Sequence, residues 1–243
     1  MKLPHSRKVA IVAALEREIK PLVRDWRVNF WEHAGRRFKF FEEDDRVLVC
    51  GGIAAEAARR AAEAVIVLYH PEVVQSVGFA GALDATLRVG DVFSPSRVID
   101  ATDSSSVETG VGHGILVSFG SIADREQKAR LAKAYGAQAV DMEAAAVARA
   151  ALLHGARFVA IKAISDSSSV SLPEMNRFVG VDGQFRTAAF VAAHAVRPWS
   201  WPGIVALARN SSASSRALCR ELKQYRESGK LENAPELYPT VRV

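Results

Sequence analysis

Cysteine is scarce in this chain of 243 residues: there are 2, Cys50 and Cys219, far apart and at no metal or redox spacing. That excludes a disulfide framework and fits a reducing, cytoplasmic setting. The 6 histidines are scattered, with no pair at the helical spacing of a zinc motif. Neither a metal nor another cofactor is expected. Long apolar runs are missing as well. "MKLPHSRKVAIVAALERE" sets basic residues before hydrophobic ones, but the run Val9–Leu15 stops at Glu16. It is too short for a leader, and nothing approaches the roughly 18–20 apolar residues of a membrane span. The body of the chain also lacks an excess of either charge. The net charge is +5, yet residues 197–243 hold 8 Lys/Arg against 4 Glu, leaving 24 basic and 23 acidic residues in the first 196. A nucleic-acid partner would need basic residues clustered on the core's own face, and none is expected.

What is present is an alternation of short β-branched runs with alanine-rich amphipathic stretches. "KVAIVAAL" reads as a buried strand and "EREIKPLVRDW" as a helix limited by Pro21. "RRFKFFEE" and "RVLVCGG" read as a strand pair across Asp44–Asp45, and "IAAEAARRAAEAVIVLYH" as a helix. "EVVQSVGFAGAL", "GDVFSPSRVID" and "GILVSFG" continue as strands. "DREQKARLAKAYG" and "DMEAAAVARAALLHG" read as helices, "RFVAIKAIS" as a strand, and residues 174–196 as a further helix. The pattern predicts an α/β fold: a single domain over residues 1–196 with a mixed, mostly parallel central sheet flanked by helices. After "RPWSWPG" the character changes, so residues 197–243 are expected to form a C-terminal helical extension ending in an extended tail.

In such a sheet, ligands gather at the carboxyl ends of the strands. "AALERE" puts Glu16 and Glu18 at the first of these ends. "GFAGAL" ends another, and its glycines let a ligand approach the backbone. "KAISDSSS" ends a late strand, where period-two alternation sets Lys162 and Asp166 on one face. "DME" opens the helix before it. Taken singly, the acids have ordinary uses: Asp141 as a helix N-cap with Glu143 in the first turn, and "SDSSS" as turn chemistry. Only their combination points to a site.

Together, "AALERE", "GGIAAEAA", "VGFAGALDATLRVGDV", "VDMEAAAVA" and "KAISD" resemble the nucleoside phosphorylase/nucleosidase superfamily in order and spacing, over roughly Val9–Phe190. The nearest branch is that of the methylthioadenosine/S-adenosylhomocysteine nucleosidases. The short "FAGALD" turn also resembles the hopanoid-associated phosphorylase branch. The resemblance implies cleavage of the N-glycosidic bond of a purine (adenine) nucleoside by a homo-oligomer. It makes Asp166 the acid that protonates purine N7, a role that requires a proton near neutral pH, with Ser165 orienting it. It makes Glu143 the residue that grips the ribose hydroxyls and stabilises an oxocarbenium-like transition state. Met142 would pack on the sugar, Ile122 would cover the base, and Phe79, Ala80 and Gly81 would line the substrate. Glu18 matches the base that activates water. Lys162, at the position where the nucleosidase branch has arginine, would also contact the substrate, keeping the charge without the planar fork.

Two further departures from the family concern the substrate. Phe79 replaces a small hydroxyl residue. Only 28 residues separate Asp91 from Gly120, fewer than the family uses there for the 5′-substituent pocket and a subunit contact. A phosphorylase needs an anion site of arginines and helix N-termini. Where phosphorylase branches place one such arginine, this chain has Ser76. Glu16 and Glu18 flank Arg17 and would repel phosphate, although the glycines of "CGGIAAE" offer N–H groups. Hydrolysis is therefore expected ahead of phosphorolysis with inorganic phosphate, including that of a lipid-linked (hopanoid) adenosine. A non-catalytic nucleoside-binding protein on the same fold ranks last. Trp199 and Trp201 lie between Pro198 and Pro202, before a basic helix carrying Ile204, Val205, Leu207, Leu218, Leu222 and Tyr225. That helix is expected to pack on the domain or a neighbouring subunit. Peripheral contact with an anionic membrane surface is the second reading, weakened by the polar stretch Asn210–Ser215 that interrupts the apolar stripe.

Overall fold

Strands built from small and β-branched residues on both sides are stable only where helices cover both faces. The computed structural model describes residues 8–170, 177, 178, 180 and 201–227. Its elements are β1 (Val9–Ala13), α1 (Glu16–Val23), β2 (Arg27–His33), β3 (Arg36–Glu43), β4 (Arg46–Cys50), α2 (Ala55–Tyr69), β5 (Val73–Ala82) and β6 (Val92–Phe93). They continue with β7 (Arg97–Asp100), β8 (Ser106–Glu108), β9 (Ile115–Ser118), α3 (Arg125–Tyr135), β10 (Ala139–Asp141), α4 (Ala144–Leu153), β11 (Arg157–Asp166) and α5 (Trp201–Glu227).

All 11 strands among the described residues join one sheet in the order β2-β3-β4-β1-β5-β10-β9-β7-β8, with β11 paired to β5 and β6. Most of its centre is parallel (β1 with β4 and β5, β11 with β5, and β9 with β7 and β10), while β10 meets β5 antiparallel. The hairpins β2–β3–β4 and β7–β8 make the edges antiparallel. The expected α/β class with helices on both faces is what forms. Alternate residues of a strand enter different cores. Ala10, Val12, Phe158 and Ala160 meet the alanines of α2 and α4. Val9, Ile11, Val159 and Ile161 meet Ile19 and Leu22 of α1 and Leu218 and Leu222 of α5. Small residues let α2 press onto the sheet. A Cβ on Gly51 would stand 2.7 Å from the Ala57 carbonyl oxygen.

Several boundaries differ from the sequence reading, each for a local reason. "GDVFSPSRVID" is two strands, because Pro95 has no N–H for a ladder. The helix expected from Asp141 starts at Ala144, since Asp141 pairs with Ser118 inside the sheet. Strands β2, β8 and β10 were not anticipated: two are only 3 residues long, and β2 has an irregular edge-strand pattern. The expected helix over 174–196 and the tail after Glu227 lie outside the described residues apart from positions 177, 178 and 180.

The extension's helix is bound tightly to the domain. Pro21 leaves the Arg17 carbonyl without its helical N–H partner, and Ser215 Oγ donates to that oxygen at 3.4 Å. Ser214 Oγ donates to the Ile164 carbonyl at 2.7 Å, so the polar interruption of the apolar stripe is itself a docking surface. Trp201 and Val205 remain exposed near the start of α5. No helix among the described residues is long and apolar enough to cross a membrane. Because Leu218 is fully buried between α5, α1 and the sheet, Leu218→Ala should cost about 2–5 kcal/mol and lower Tm clearly in a thermal melt. An unchanged Tm would mean that residues 201–227 are a separable appendage.

Candidate active site

The carboxyl ends of β1, β5, β10 and β11 meet around a cavity of about 920 Å3. In its wall lies a buried ion pair, whose acid, Asp141, is among the lining residues. Lys162 Nζ sits 2.8 Å from Asp141 Oδ2, and both side chains are almost wholly excluded from solvent. Lys162 also donates to Ser76 Oγ at 3.0 Å, tying β11 to β5. Asp141 Oδ2 accepts from the Ala144 N–H at 2.9 Å, and Oδ1 accepts from Ser118 Oγ at 2.6 Å. Ser118 Oγ in turn accepts from the Ala145 N–H at 2.9 Å. Asp141 thus performs the capping expected of it, but from within a strand.

Glu143 does not cap. Its Oε1 accepts from the Ala54 N–H at 2.9 Å, across 89 residues of sequence. Ala54 presents that N–H from a φ of +82°, a conformation that costs a residue with a side chain of order 1–3 kcal/mol. The neighbouring glycine loop is equally committed, because Gly51 N–H donates to Ala13 O and Gly52 N–H to Ala14 O, each at 3.0 Å. These are the N–H groups that an anion would have needed.

Glu18, on the first turns of α1, is buried, and its Oε2 has no hydrogen-bond partner among the described residues. Gly78, at φ +155°, makes its position possible: a Cβ there would stand 2.8 Å from Oε2. Burial, and next the charge of Glu143, push Glu18 up to about 8. Burial, and next the charge of Asp141, push Glu143 up to about 7. Burial, followed by Glu18 and Glu16, pushes the nearby Cys50 thiol up, so it is no nucleophile.

Asp166 is held differently. Ser165 Oγ donates to its Oδ1 at 2.6 Å and approaches Ala80 O at 3.3 Å, while the Lys128 ammonium pairs with Oδ2. A bulge between Ile164 and Asp166 breaks the strand's alternation, so Lys162 and Asp166 are not related by simple period two. A Cβ on Gly81 would lie 3.0 Å from Asp166 Oδ2, so this glycine makes room for the acid.

Of the residues expected at the site, Glu18, Phe79, Ala80, Gly81, Ile122, Met142, Glu143, Ser165 and Asp166 all line the cavity. Lys162 is the exception. Its ammonium is engaged behind the wall by Asp141 and Ser76, where it positions other groups. Sequence reasoning missed Lys128, which reads as an ordinary wet residue in "DREQK", and the anchor at Ala54. It also gave no hint that Ile204 and Leu207 of α5 would line the same cavity as Arg17 and Lys20 of α1.

A family model described as the phosphorylase superfamily matches residues 8–120 and 111–197. A 5'-methylthioadenosine/S-adenosylhomocysteine nucleosidase of Staphylococcus aureus (strain JH9) is 27% identical over 196 residues, covering 65% of this chain and 86% of the relative. The native structure of futalosine hydrolase of Helicobacter pylori strain 26695 superposes with a TM-score of 0.68 at 16% identity, covering 91% of this chain and 98% of that one. The Helicobacter pylori 5'-methylthioadenosine/S-adenosyl homocysteine nucleosidase in complex with a pyrrolidine ligand gives 0.68 at 16%, covering 93% and 100%. At these identities the structural likeness speaks for the fold.

Two buried carboxyls raised to about 8 and about 7 bind protons in the folded state that the unfolded chain has already released. Their contribution is therefore fully present at acid pH, below the ordinary carboxylate range, and is lost as pH rises through 7 and 8. Thermal melts of the ligand-free protein should show Tm falling between about pH 5 and pH 8. Glu18→Gln should flatten that fall, raising Tm more at pH 8 than at pH 5. Parallel curves for the two proteins would contradict this account.

Proposed function

The chain belongs to the phosphorylase superfamily, and from that premise we propose that it hydrolyses the N-glycosidic bond of a purine nucleoside, in the manner of the methylthioadenosine/S-adenosylhomocysteine nucleosidases. The observation that carries the reading is the convergence of Glu18, Glu143 and Asp166 on one cavity whose glycine-loop N–H groups are already committed.

Breaking the C1′–N9 bond leaves positive charge on the ribose and negative charge on the departing base. Asp166, oriented by Ser165, donates a proton to N7 of the base, so that it leaves neutral. Glu143 accepts hydrogen bonds from the ribose hydroxyls, and its charge stabilises the developing cation. Water attacks C1′ and passes a proton to Glu18, whose buried, unpartnered Oε2 is suited to receive it. A base raised to about 8 is well matched to accept a proton near neutral pH. Met142 and Phe79 supply apolar contact around the sugar and base. Hydrolysis is favoured over phosphorolysis because Ser76 carries no positive charge and the loop of Gly51 and Gly52 offers no open anion nest. The relatives named above, nucleosidases and a hydrolase, point the same way.

Release of free base from a panel of purine nucleosides bearing different 5′ groups tests the proposal directly. Turnover is expected in phosphate-free buffer. A strict phosphate requirement, with ribose 1-phosphate as product, would replace hydrolysis by phosphorolysis, and no turnover with retained binding would leave a binding protein. In Asp166→Asn, loss of the general acid should reduce kcat by about 10²–10⁴. Near-normal kcat in that variant would remove Asp166 from the mechanism.

A further inference from the structure

The cavity holds more than the mechanism uses. With the base assigned to Asp166 and the ribose hydroxyls to Glu143, C5′ is the ribose position from which further atoms can extend. Pockets for drug-sized ligands run to roughly 300–1,000 Å3, and this one, at about 920 Å3, has room beyond a purine and its sugar. Two helices supply the additional wall. At the helical period, Arg17, Lys20 and the C-cap Arg24 fall on one face of α1, and Ile204, Leu207 and Ser211 on one face of α5. All six line the cavity. Ser215, donating to the Arg17 carbonyl at 3.4 Å, holds the two helices together and brings Arg216 to the same wall.

The charge of this wall is one-sided. Lys20, Arg24 and Arg216 are exposed, and none has an ion pair or side-chain hydrogen bond among the described residues. The helix dipole accounts for cations at the C-terminal end of α1, but not for Arg17 in its first turn or Arg216 within α5. The acids of the cavity do not answer them. Asp141, Glu143 and Asp166 have the partners described above, and Glu18 is buried. Glu16, the neighbouring acid on α1, pairs with Lys39 at 2.9 Å. Arg24 also lies about 9 Å along the helix axis from Glu18. An anion held there is therefore a part of the substrate remote from C1′ and not the attacking group. Ile204 and Leu207, half-buried, add apolar surface to the same cavity.

We propose that this wall selects a purine nucleoside whose 5′ substituent is an apolar chain ending in an anion, either a carboxylate or a phosphate-type group. The chain lies against Ile204 and Leu207, and the anion meets Lys20, Arg24 and Arg216, with Arg17 on the same face. The inference rests on the cavity being a purine nucleoside site and names the substrate class of that site.

The experiment measures kcat/KM for adenine release, at low salt, from 5′-butylthioadenosine and from two counterparts whose chains end in a carboxylate and in a phosphonate. In the wild type at least one acid-ended compound is expected to be favoured over the butyl compound by about three- to thirtyfold, the effect of a few exposed ion pairs. The preference should shrink in about 0.5 M salt. In the double variant Lys20→Glu with Arg24→Glu the ratio is expected to fall below one, whereas Lys20→Arg with Arg24→Lys should keep it. Each ratio is taken within one protein, so a general loss of activity cannot imitate the effect, and a thermal melt of each variant checks its folding. If the charge-reversed protein does not fold, Lys20→Gln with Arg24→Gln takes its place, with the ratio falling towards one. Equal kcat/KM for all three compounds in the wild type, or a ratio that the folded variants leave unchanged, would overturn the proposal. Release of base from none of these compounds and from no other purine nucleoside would overturn the purine reading itself, a distinguishable result.

Discussion

The site depends on a pair of charges that no solvent reaches. Lys162 and Asp141 face each other at 2.8 Å, with Ser76 and Ser118 occupying further hydrogen-bonding positions. Burying an ion pair gives little net stability, and removing one partner costs roughly 3–5 kcal/mol because the other charge is left unpaired. What the pair contributes here is registry. It ties β11 to β5 and β10 and sets the start of α4, just before which Met142 and Glu143 meet the cavity. The negative charge on Asp141 also helps raise Glu143, and Glu143 in turn helps raise Glu18. One buried contact therefore shapes the cavity, and its two charges act with opposite signs on Glu143, which burial has already raised.

Those acids are kept apart by what surrounds each of them. Asp166 has two donors, Glu143 has backbone N–H groups, and one oxygen of Glu18 has no partner among the described residues. The backbone accommodates this at some expense. Ala54 takes a positive φ, Gly78 leaves room where a side chain would collide with the Glu18 carboxyl, and Gly81 lets Asp166 approach closely. Such strain persists only where surrounding packing over-determines it. The alanine-rich faces of α2 and α4, pressed onto the sheet, supply that packing.

Much of this was legible in the sequence because strand runs, glycine turns and acids at strand ends are local signals. "VAIVA" and "RFVAIKAIS" announced buried strands, and "ALERE", "DME" and "ISD" marked the three acid positions. Contacts between distant segments left no comparable trace. Nothing in "DREQK" separates a lysine that will be buried against Asp166 from a solvated one, because the helix pattern is satisfied either way. Lys162 was recognised as unusual but assigned to the ligand, since alternation alone could not register the bulge before Asp166 or the carboxylate waiting on β10. The serines of α5 looked like a flaw in an amphipathic stripe. Their use appears only once Pro21 and the Ile164 carbonyl are seen opposite them.

The docking of α5 bears on the order in which the molecule is assembled. Ser215 reaches the Arg17 carbonyl across 198 positions, and Cys219 the Glu18 carbonyl across 201. Contacts of that separation carry a heavy loop-closure entropy and form late unless other pairings shorten the loop first. The helix bearing Glu18 is thus supported on its outer side only after nearly the whole chain is available. The central strands β1, β4 and β5, drawn from the first third of the sequence, can pair much earlier. A growing chain would pair these strands well before it forms the wall that holds Glu18 in place, and that carboxyl would be among the last groups to become fixed.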